Sequence, residues 1–561
     1  MSASPLRVAI LWHFHQPDYR IGEGVSSLPW VRLHATKDYA ELPAIHRRFP
    51  RLRLTYNFTP ILLEQLDEYR RGVLSDDHAL LSLSDPMQMT DAERQSLLQW
   101  GFVGNATRLI EPFERYRQLR NSAAKGEYTK WQPQDWLDLQ VWMRLAWLGE
   151  TVRRVPPVAP LIEKGRFFSA EDRARLCALE QGLLLSVFER MRALVQHGIA
   201  EISCSPYYHP ILPLLCSTDV VAQSDPDIEL LQPSFAWSED AREQVTRAIG
   251  SVQRYFETSI VGMWPSEGAI SDEALAIIAD SGIIWAASDQ MVLRRSAPEL
   301  PSWAWYQPFR WEQEGRKIVL LFRDPVLSDA IGFVYSSWEA NAAARDFLER
   351  LHALREAIIE HEGEQFLSHA VVPVILDGEN CWEYYERNGL PFLEALYEAL
   401  TSDDTIETVT FSEVAQQAIA AAETPVLHHV VPGSWIGGSL RIWSGHAEDR
   451  MAWALLRDAR HAFAERAQLL DEQARAGAYR HLLTAEGSDW FWWFGDEHRA
   501  AFRFVFDRLF RLHLEAAYRI MGIPVPTAVQ QPIMQSDEDG TFSPFGAMHP
   551  ATFPTQSRRD G

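Results

Sequence analysis

Short apolar runs alternate with longer stretches of helical period from Leu6 to about Ser412, and this alternation restricts the chain to few architectures. It is the signature of βαβ units around a mostly parallel sheet, an α/β fold. Three of the runs end in polar residues. Leu6 to Trp12 leads into His13-Phe14-His15-Gln16-Pro17, Ser259 to Ser266 delivers Glu267, and Ala370 to Leu376 delivers Asp377, followed by Gly378-Glu379-Asn380-Cys381-Trp382. Strands of one parallel sheet empty onto a common C-terminal rim however far apart they lie in sequence. Glu267, Asp377, His13 and His15 are therefore expected around one cleft, with His13 and His15 on the same face of extended chain because they are two residues apart.

Two carboxylates aimed at one cleft, with Trp264 and Trp382 close by to stack on sugar faces, suit cleavage of a glycosidic bond. Each acid alone is equally suited to capping a helix or holding a loop. The His-x-His spacing also has two readings: a pair of metal ligands, or neutral donors and acceptors for substrate hydroxyls.

The ordered set His-Phe-His-Gln-Pro, Trp-Pro-Ser-Glu and Asp-Gly-Glu-Asn-Cys-Trp resembles glycoside hydrolase family 57. Gly198 to Ile202 leading to His209-Pro210, and Gly433-Ser434-Trp435-Ile436 leading to Trp443-Ser444-Gly445-His446, fit the same set, so the resemblance spans residues 6 to 525 approximately. It implies a retaining enzyme acting on α-glucans, built on an incomplete, seven-stranded (β/α) barrel with a helical C-terminal region. Carried over motif by motif, it implies Glu267 as nucleophile and Asp377 as general acid/base, with His13, His15, Glu201, Trp264 and Glu379 lining the donor-sugar site. Trp382, Trp435 and Trp443 lie in motifs of the same kind and are expected to stack on sugars. A retaining mechanism places the two carboxyl groups about 5–5.5 Å apart. Glu379 is expected to add negative charge that keeps Asp377 protonated. The motifs depart from the family's commonest forms around Pro265, and Gly437 and Gly438 alter the acceptor side.

Composition bounds the rest. Hydrophobic residues make up an ordinary 47%, but 21 Trp is several times the usual number and fits both sugar platforms and core packing. The residues from Asp135 to Trp147 have helical period, which assigns Trp136, Trp142 and Trp147 to packing. A net charge of -23 with no dense Lys/Arg stripe argues against a nucleic-acid partner. Four scattered cysteines without a C-x-x-C pair indicate neither a zinc module nor a disulfide framework. No basic segment followed by a long apolar stretch opens the chain and no run reaches about 18 apolar residues, so neither a leader nor a membrane span is expected and a cytoplasmic location follows. No cofactor is expected, and the sequence does not specify an oligomeric state.

In outline, residues 1–430 are expected to form the barrel, with a helical insertion over about 81–197. Residues 431–525 form the helical C-terminal region and 526–561 an irregular tail. The expected C-terminal helices run from Glu448 to about Leu469, Glu472 to Leu483 and His498 to Met521. Between them Ser488 to Asp496 is too aromatic for a free loop, and either clamps helices onto the barrel or reaches the cleft rim. Within the family the catalytic motifs are shared by α-amylase, debranching, branching and 4-α-glucanotransferase activities. The favoured expectation is hydrolysis of α-1,4 bonds in an α-glucan or maltooligosaccharide, with transfer as its alternative. Two other classes remain: a metal-dependent deacetylase using His13, His15 and Asp377, and a non-catalytic glucan-binding protein. The first lacks a histidine pair at i, i+4 among the 18 His, and the second has no need of two opposed acids.

Overall fold

The computed structural model describes residues 4–22, 24–495, 497–498 and 502–534. Its spine is a ten-stranded sheet. The strands are β1 (Leu6–Phe14), β2 (Leu54–Phe58), β3 (Ala200–Cys204), β4 (Gly262–Met263) and β5 (Trp285–Asp289), then β6 (Phe309–Gln313), β7 (Arg316–Arg323), β8 (Val371–Asp377), β9 (Ile406–Thr408) and β10 (Val426–Leu427). The order is β8-β1-β2-β3-β4-β5-β7-β6-β10, with β9 beside β1. From β8 through to β7 every neighbouring pair is parallel, and β6 turns back antiparallel on β7.

The ends of the parallel run meet without a continuous ladder. Asp324 N donates to Pro373 O at 2.8 Å, Ile375 N to Ser328 Oγ at 3.1 Å, and Arg323 Nε to Ile375 O at 2.7 Å. The sheet is thus an incomplete α/β barrel, closed by a few isolated bonds in place of a strand.

Alternation along each strand sorts its side chains into inner and outer sets. On β1, Val8, Ile10, Trp12 and Phe14 join the large core beneath the surrounding helices, whereas Ala9 and Leu11 join a smaller cluster with Ala287, Val319, Leu321 and Ile375 inside the barrel. The next inward positions are polar: His13, Asn57, Ser203, Asp289, Arg323 and Asp377. The helix Phe411–Ala420 plugs the opposite end with Phe411, Val414 and Ala415.

Glu201 lies at that plugged end, which corrects its expected place at the donor-sugar site. It is the second residue of β3, and its carboxylate accepts from Trp285 Nε1 at 2.9 Å, Ser412 N at 2.9 Å and Thr55 Oγ1 at 3.1 Å. Strand direction explains the difference, since only Ser203, two residues further on, reaches the C-terminal layer. Trp285 spans this floor because residue 262 is glycine: a Cβ there would lie 1.9 Å from Trp285 Cε2.

Helices occupy most of the chain between β2 and β3, among them Pro60–Arg70, Asp91–Trp100, Pro133–Leu145 and Ala170–Gln196. The longest starts at a capping box in which Ser169 and Asp172 exchange hydrogen bonds, and Pro133 takes the first-turn position where its missing N–H costs nothing. The C-terminal region contains Ala447–Arg466, Glu472–Ala485 and Arg503–Ile520. The last begins later than His498, and residues 499–501 lie outside the described residues, as does the tail from 535 onward. Among the described residues no helix is long and apolar enough to cross a membrane. All four cysteines are free.

Replacing Glu201 with Ala leaves the Ser412 amide without its buried acceptor and the Trp285 indole N–H with only Ser412 Oγ at 3.2 Å, at about 1–3 kcal/mol in all. Denaturant unfolding should show a loss of that order, while kcat of the remaining folded enzyme stays within about twofold. A large fall in kcat at unchanged stability would return Glu201 to the substrate site.

Candidate active site

One cavity opens at the C-terminal rim of the barrel, and His13, His15, Trp264, Glu267, Asp377, Glu379 and Trp435 all line it. Strand register brings part of this about directly. Asp377 lies opposite His13, His13 opposite Asn57, and Asn57 opposite Ser203 on successive parallel strands. Asn57 Nδ2 donates to Ser203 Oγ at 3.0 Å, which turns its Oδ1 toward His13 Nδ1, 2.7 Å away. This network assigns the Nδ1–H tautomer to His13 and leaves Nε2 as an acceptor. Burial pushes the His13 imidazole down to about 4, so it is neutral at physiological pH.

Glu267 stands on the tight turn Ser266–Gly268 that follows β4, with φ 59° and ψ 22°. A side-chain-bearing residue in the left-handed region costs on the order of 1–3 kcal/mol and persists only where its surroundings hold it. Here Trp435 holds both ends of the residue: its amide donates to Glu267 O at 3.1 Å and its Nε1 to Glu267 Oε2 at 2.6 Å. Gly268 follows at φ 60°, and a Cβ there would sit 2.5 Å from Trp264 Cη2. Trp435, expected to stack on sugar, therefore spends its indole N–H on the carboxylate and takes the Arg323 guanidinium over its ring at 4.9 Å. Burial pushes Glu267 up to about 8; the Trp435 bond opposes this, and the charges of Asp377 and Asp489 add to it.

Across the cavity, Asp377 Oδ2 accepts from Asn380 Nδ2 at 2.9 Å. Glu379 accepts from Gln16 Nε2 at 2.8 Å, and burial raises it well above the usual carboxylate range. Burial thus works against the ionised Glu379 that the expected effect on Asp377 requires.

Several residues at the cavity lie outside the set expected from sequence. His209, at φ 58°, stacks on His15 at 3.9 Å and on His13 at 5.2 Å. Its Nδ1 lies 3.0 Å from Ser488 Oγ, and Ser488 N donates to His209 O. Asp489 accepts from His15 Nε2 at 2.8 Å, while Thr59 Oγ1 lies 3.0 Å from His15 Nδ1. The C-terminal region thus supplies part of the cavity. His209 had a signal in its motif after β3, and Asp489 sat inside the aromatic stretch. Both roles proposed for that stretch coexist: Asp489, Trp492 and Trp493 face the cavity, whereas Trp490, Phe491 and Phe494 are buried in the core.

Among the described residues, His15, His209 and Asp489 are the group whose donor atoms, all within 4.8 Å of one another, could approach a metal ion. Their arrangement fits poorly, because His15 and His209 are stacked with 23° between ring planes. In-plane lone pairs of stacked rings run side by side and do not converge on one ion. Trp382 and Trp443 are not cavity residues. Trp382, 1% exposed, packs edge-on against Trp12 and donates to Gly378 O at 2.9 Å. Trp443, 0% exposed, accepts at its carbonyl from Trp453 Nε1.

Trp435→Phe removes a donor that favours ionised Glu267, so the Glu267 carboxyl should titrate about one pH unit or more above its midpoint of about 8. Carboxyl NMR of the labelled protein measures it, and an unchanged midpoint would dissociate the indole from the carboxylate.

The profile of Glycosyl hydrolase family 57 matches residues 9–427. No curated protein sequence matches the chain. The structure is similar to the branching enzyme of Thermococcus kodakaraensis, with TM-score 0.58 and 14% identity over 92% of this chain and 90% of that one. It is also similar to the branching enzyme of Pyrococcus horikoshii (0.56, 14%, covering 97% and 99%) and to an α-amylase of Thermotoga maritima (0.56, 14%, covering 94% and 96%). At such identities the likeness speaks for the fold, and the family match for kinship. The chain belongs to glycosyl hydrolase family 57, whose members are glycoside hydrolases and transglycosylases, and it is an enzyme of that class.

Proposed function

We propose that this enzyme cleaves α-1,4-glucosidic bonds of an α-glucan with retention of configuration, with Glu267 as nucleophile and Asp377 as general acid/base. The supporting observation is that Glu267 and Asp377 reach one cavity from different strand ends, close enough for the Asp377 charge to act on Glu267. In this reading Asp377 protonates the glycosidic oxygen while ionised Glu267 attacks the anomeric carbon from the opposite face. A water deprotonated by Asp377 then releases the sugar. Neutral His13 and the His15–Asp489 pair offer hydrogen bonds to hydroxyls of the sugar being cleaved. Transfer to a second glucan is the alternative outcome. It is favoured by aromatic side chains around the cavity, which exclude water from the glycosyl-enzyme.

Glu267→Gln and Asp377→Asn should each lower glucan cleavage at least about a thousandfold while leaving the fold intact. Azide should rescue Glu267→Gly as the β-glycosyl azide, since the small anion takes the missing nucleophile's face. Full activity in either amide variant would sink the assignment.

The pH dependence has a definite sign. Because Glu267 must be ionised to attack, kcat/KM should climb on its acid limb toward pH about 8. Its folded pKa lies above the ordinary value of 4.5, so its contribution to stability is complete below pH 4.5 and lost as pH rises through about 8. The stability of the wild type relative to Glu267→Gln should therefore fall across that window in parallel melts; a constant difference would contradict the shift.

A further inference from the structure

One wall of the cavity is used by neither carboxylate. Between β1 and β2 the helical turn Trp30–His34 runs directly into a π-helical turn, Ala35–Tyr39. Such turns are rare, and they recur at functional sites because the widened turn re-aims side chains. This one assembles a buried relay. His34 Nδ1 lies 2.6 Å from Asp38 Oδ2, and Lys37 Nζ donates to Asp38 Oδ1 at 2.7 Å and to Asn388 Oδ1 at 3.0 Å. Lys37 is 0% and Asp38 1% exposed. A buried ion pair adds little net stability over apolar residues of the same volume, so its presence beside the cavity calls for another role.

The relay fixes the chemistry of His34. With Nδ1–H committed to Asp38, Nε2 keeps its lone pair as an acceptor, and His34 is part of the cavity lining. Burial holds the imidazole below its ordinary pKa, hence neutral. Aromatic rings frame it: Trp147 stands edge-on at 5.9 Å, and half-buried Trp30 lies 5.9 Å from Trp147 and 6.5 Å from His34. Both tryptophans line the cavity. Lys37 ties this turn, at 3.0 Å, to Asn388 in the segment that follows β8 and Asp377, whereas His209 lies on the Glu267 side, with Nδ1 3.9 Å from Glu267 Oε1. The acid/base serves the leaving or incoming sugar, so the Asp377 side of the cavity is the acceptor side.

We propose that His34, oriented by Asp38, recognises the acceptor sugar: its Nε2 accepts a hydrogen bond from a hydroxyl of an incoming glucan whose ring rests on Trp30, backed by Trp147. The proposal rests on the roles given above to Glu267 and Asp377. In the step it serves, a different hydroxyl of the acceptor forms the new bond to the anomeric carbon as the ester bond to Glu267 breaks. That hydroxyl's proton passes to Asp377, and Glu267 leaves as carboxylate. His34 takes no proton; it sets the orientation of the acceptor, and Asp38 is a positioning residue acting through it.

The test measures how the glycosyl-enzyme partitions. The full-length enzyme is given maltoheptaose as donor and fluorescently labelled maltotriose as acceptor, and labelled elongation products are counted against new reducing ends. His34→Gln should lower the transfer-to-hydrolysis ratio about fivefold at fixed acceptor, and added acceptor should restore it. Trp30→Ala, at a half-exposed position, should move the ratio in the same direction and decides the matter if His34→Gln melts early. Asp38→Asn should lower the ratio less than His34→Gln. An unchanged ratio in folded His34→Gln or Trp30→Ala, or a wild type that forms no transfer product at any acceptor concentration, overturns the proposal. Retained cleavage in Glu267→Gln would overturn the catalytic reading instead, and the ratio would still report on His34.

Discussion

The barrel depends on how its open seam is closed, and Arg323 ties that seam to the cavity. Where the parallel ladder fails between β7 and β8, its buried guanidinium donates to Ile375 O, pairs with Asp289 at 3.2 Å and with Asp329, and lies over Trp435. A planar, permanently charged fork with five donors can serve all these partners at once, which a lysine ammonium cannot. The chain of dependence runs on into the site: Trp435 holds the backbone and the carboxylate of Glu267, whose left-handed conformation would otherwise relax. A gap in the sheet and the left-handed turn at Glu267 are thus linked through one cation.

The cavity also collects acids whose mutual repulsion would be far costlier there than in open water. Glu267, Asp377, Glu379 and Asp489 line it in a chain of net charge -23. Burial resolves the conflict by removing charge. Glu379 is pushed well above the usual carboxylate range, Glu267 up to about 8, and the imidazoles of His13 and His209 down, so burial lowers the charge these neighbours carry. Hydroxyl-rich, uncharged ligands suit such a surface, since they exchange hydrogen bonds with it and bring no charge of their own.

Helical segments outside the barrel complete the cavity. Gly487 and Pro210 form an isolated bridge, Ser488 bonds His209, and Asp489 bonds His15, so docking of the C-terminal region fixes the orientation of two imidazoles. From the other side the helical turn Trp30–His34 supplies His34, the π-helical turn after it supplies Asp38, and the helix Pro133–Leu145 leads into Trp147. Strand ends and the turn after β4 place Glu267 and Asp377, and these added elements form the rest of the cavity lining.

The sequence by itself determined the barrel and the positions that its strand ends bring to one rim. Short apolar runs and strand-helix order are local properties, and a parallel sheet converts them into a shared edge: His13, His15, Glu267 and Asp377 were legible for that reason. Trp136 and Trp142 were legible as core from helical period alone. Tertiary structure decided what local pattern does not encode. Glu201 shares a strand with Ser203, but its place near the strand start sends it to the plugged end. Trp382 and Trp443 carry the same side chain as Trp30, yet packing against Trp12 and the C-terminal core leaves them no free face. Glu379 looks like a charge in sequence, but its burial disfavours the ionised form. Asp489 and His15 are separated by most of the chain, and only the docking of helices onto the barrel rim brings carboxylate and imidazole together, because hydrogen bonds and desolvation depend on distance in space and not along the chain.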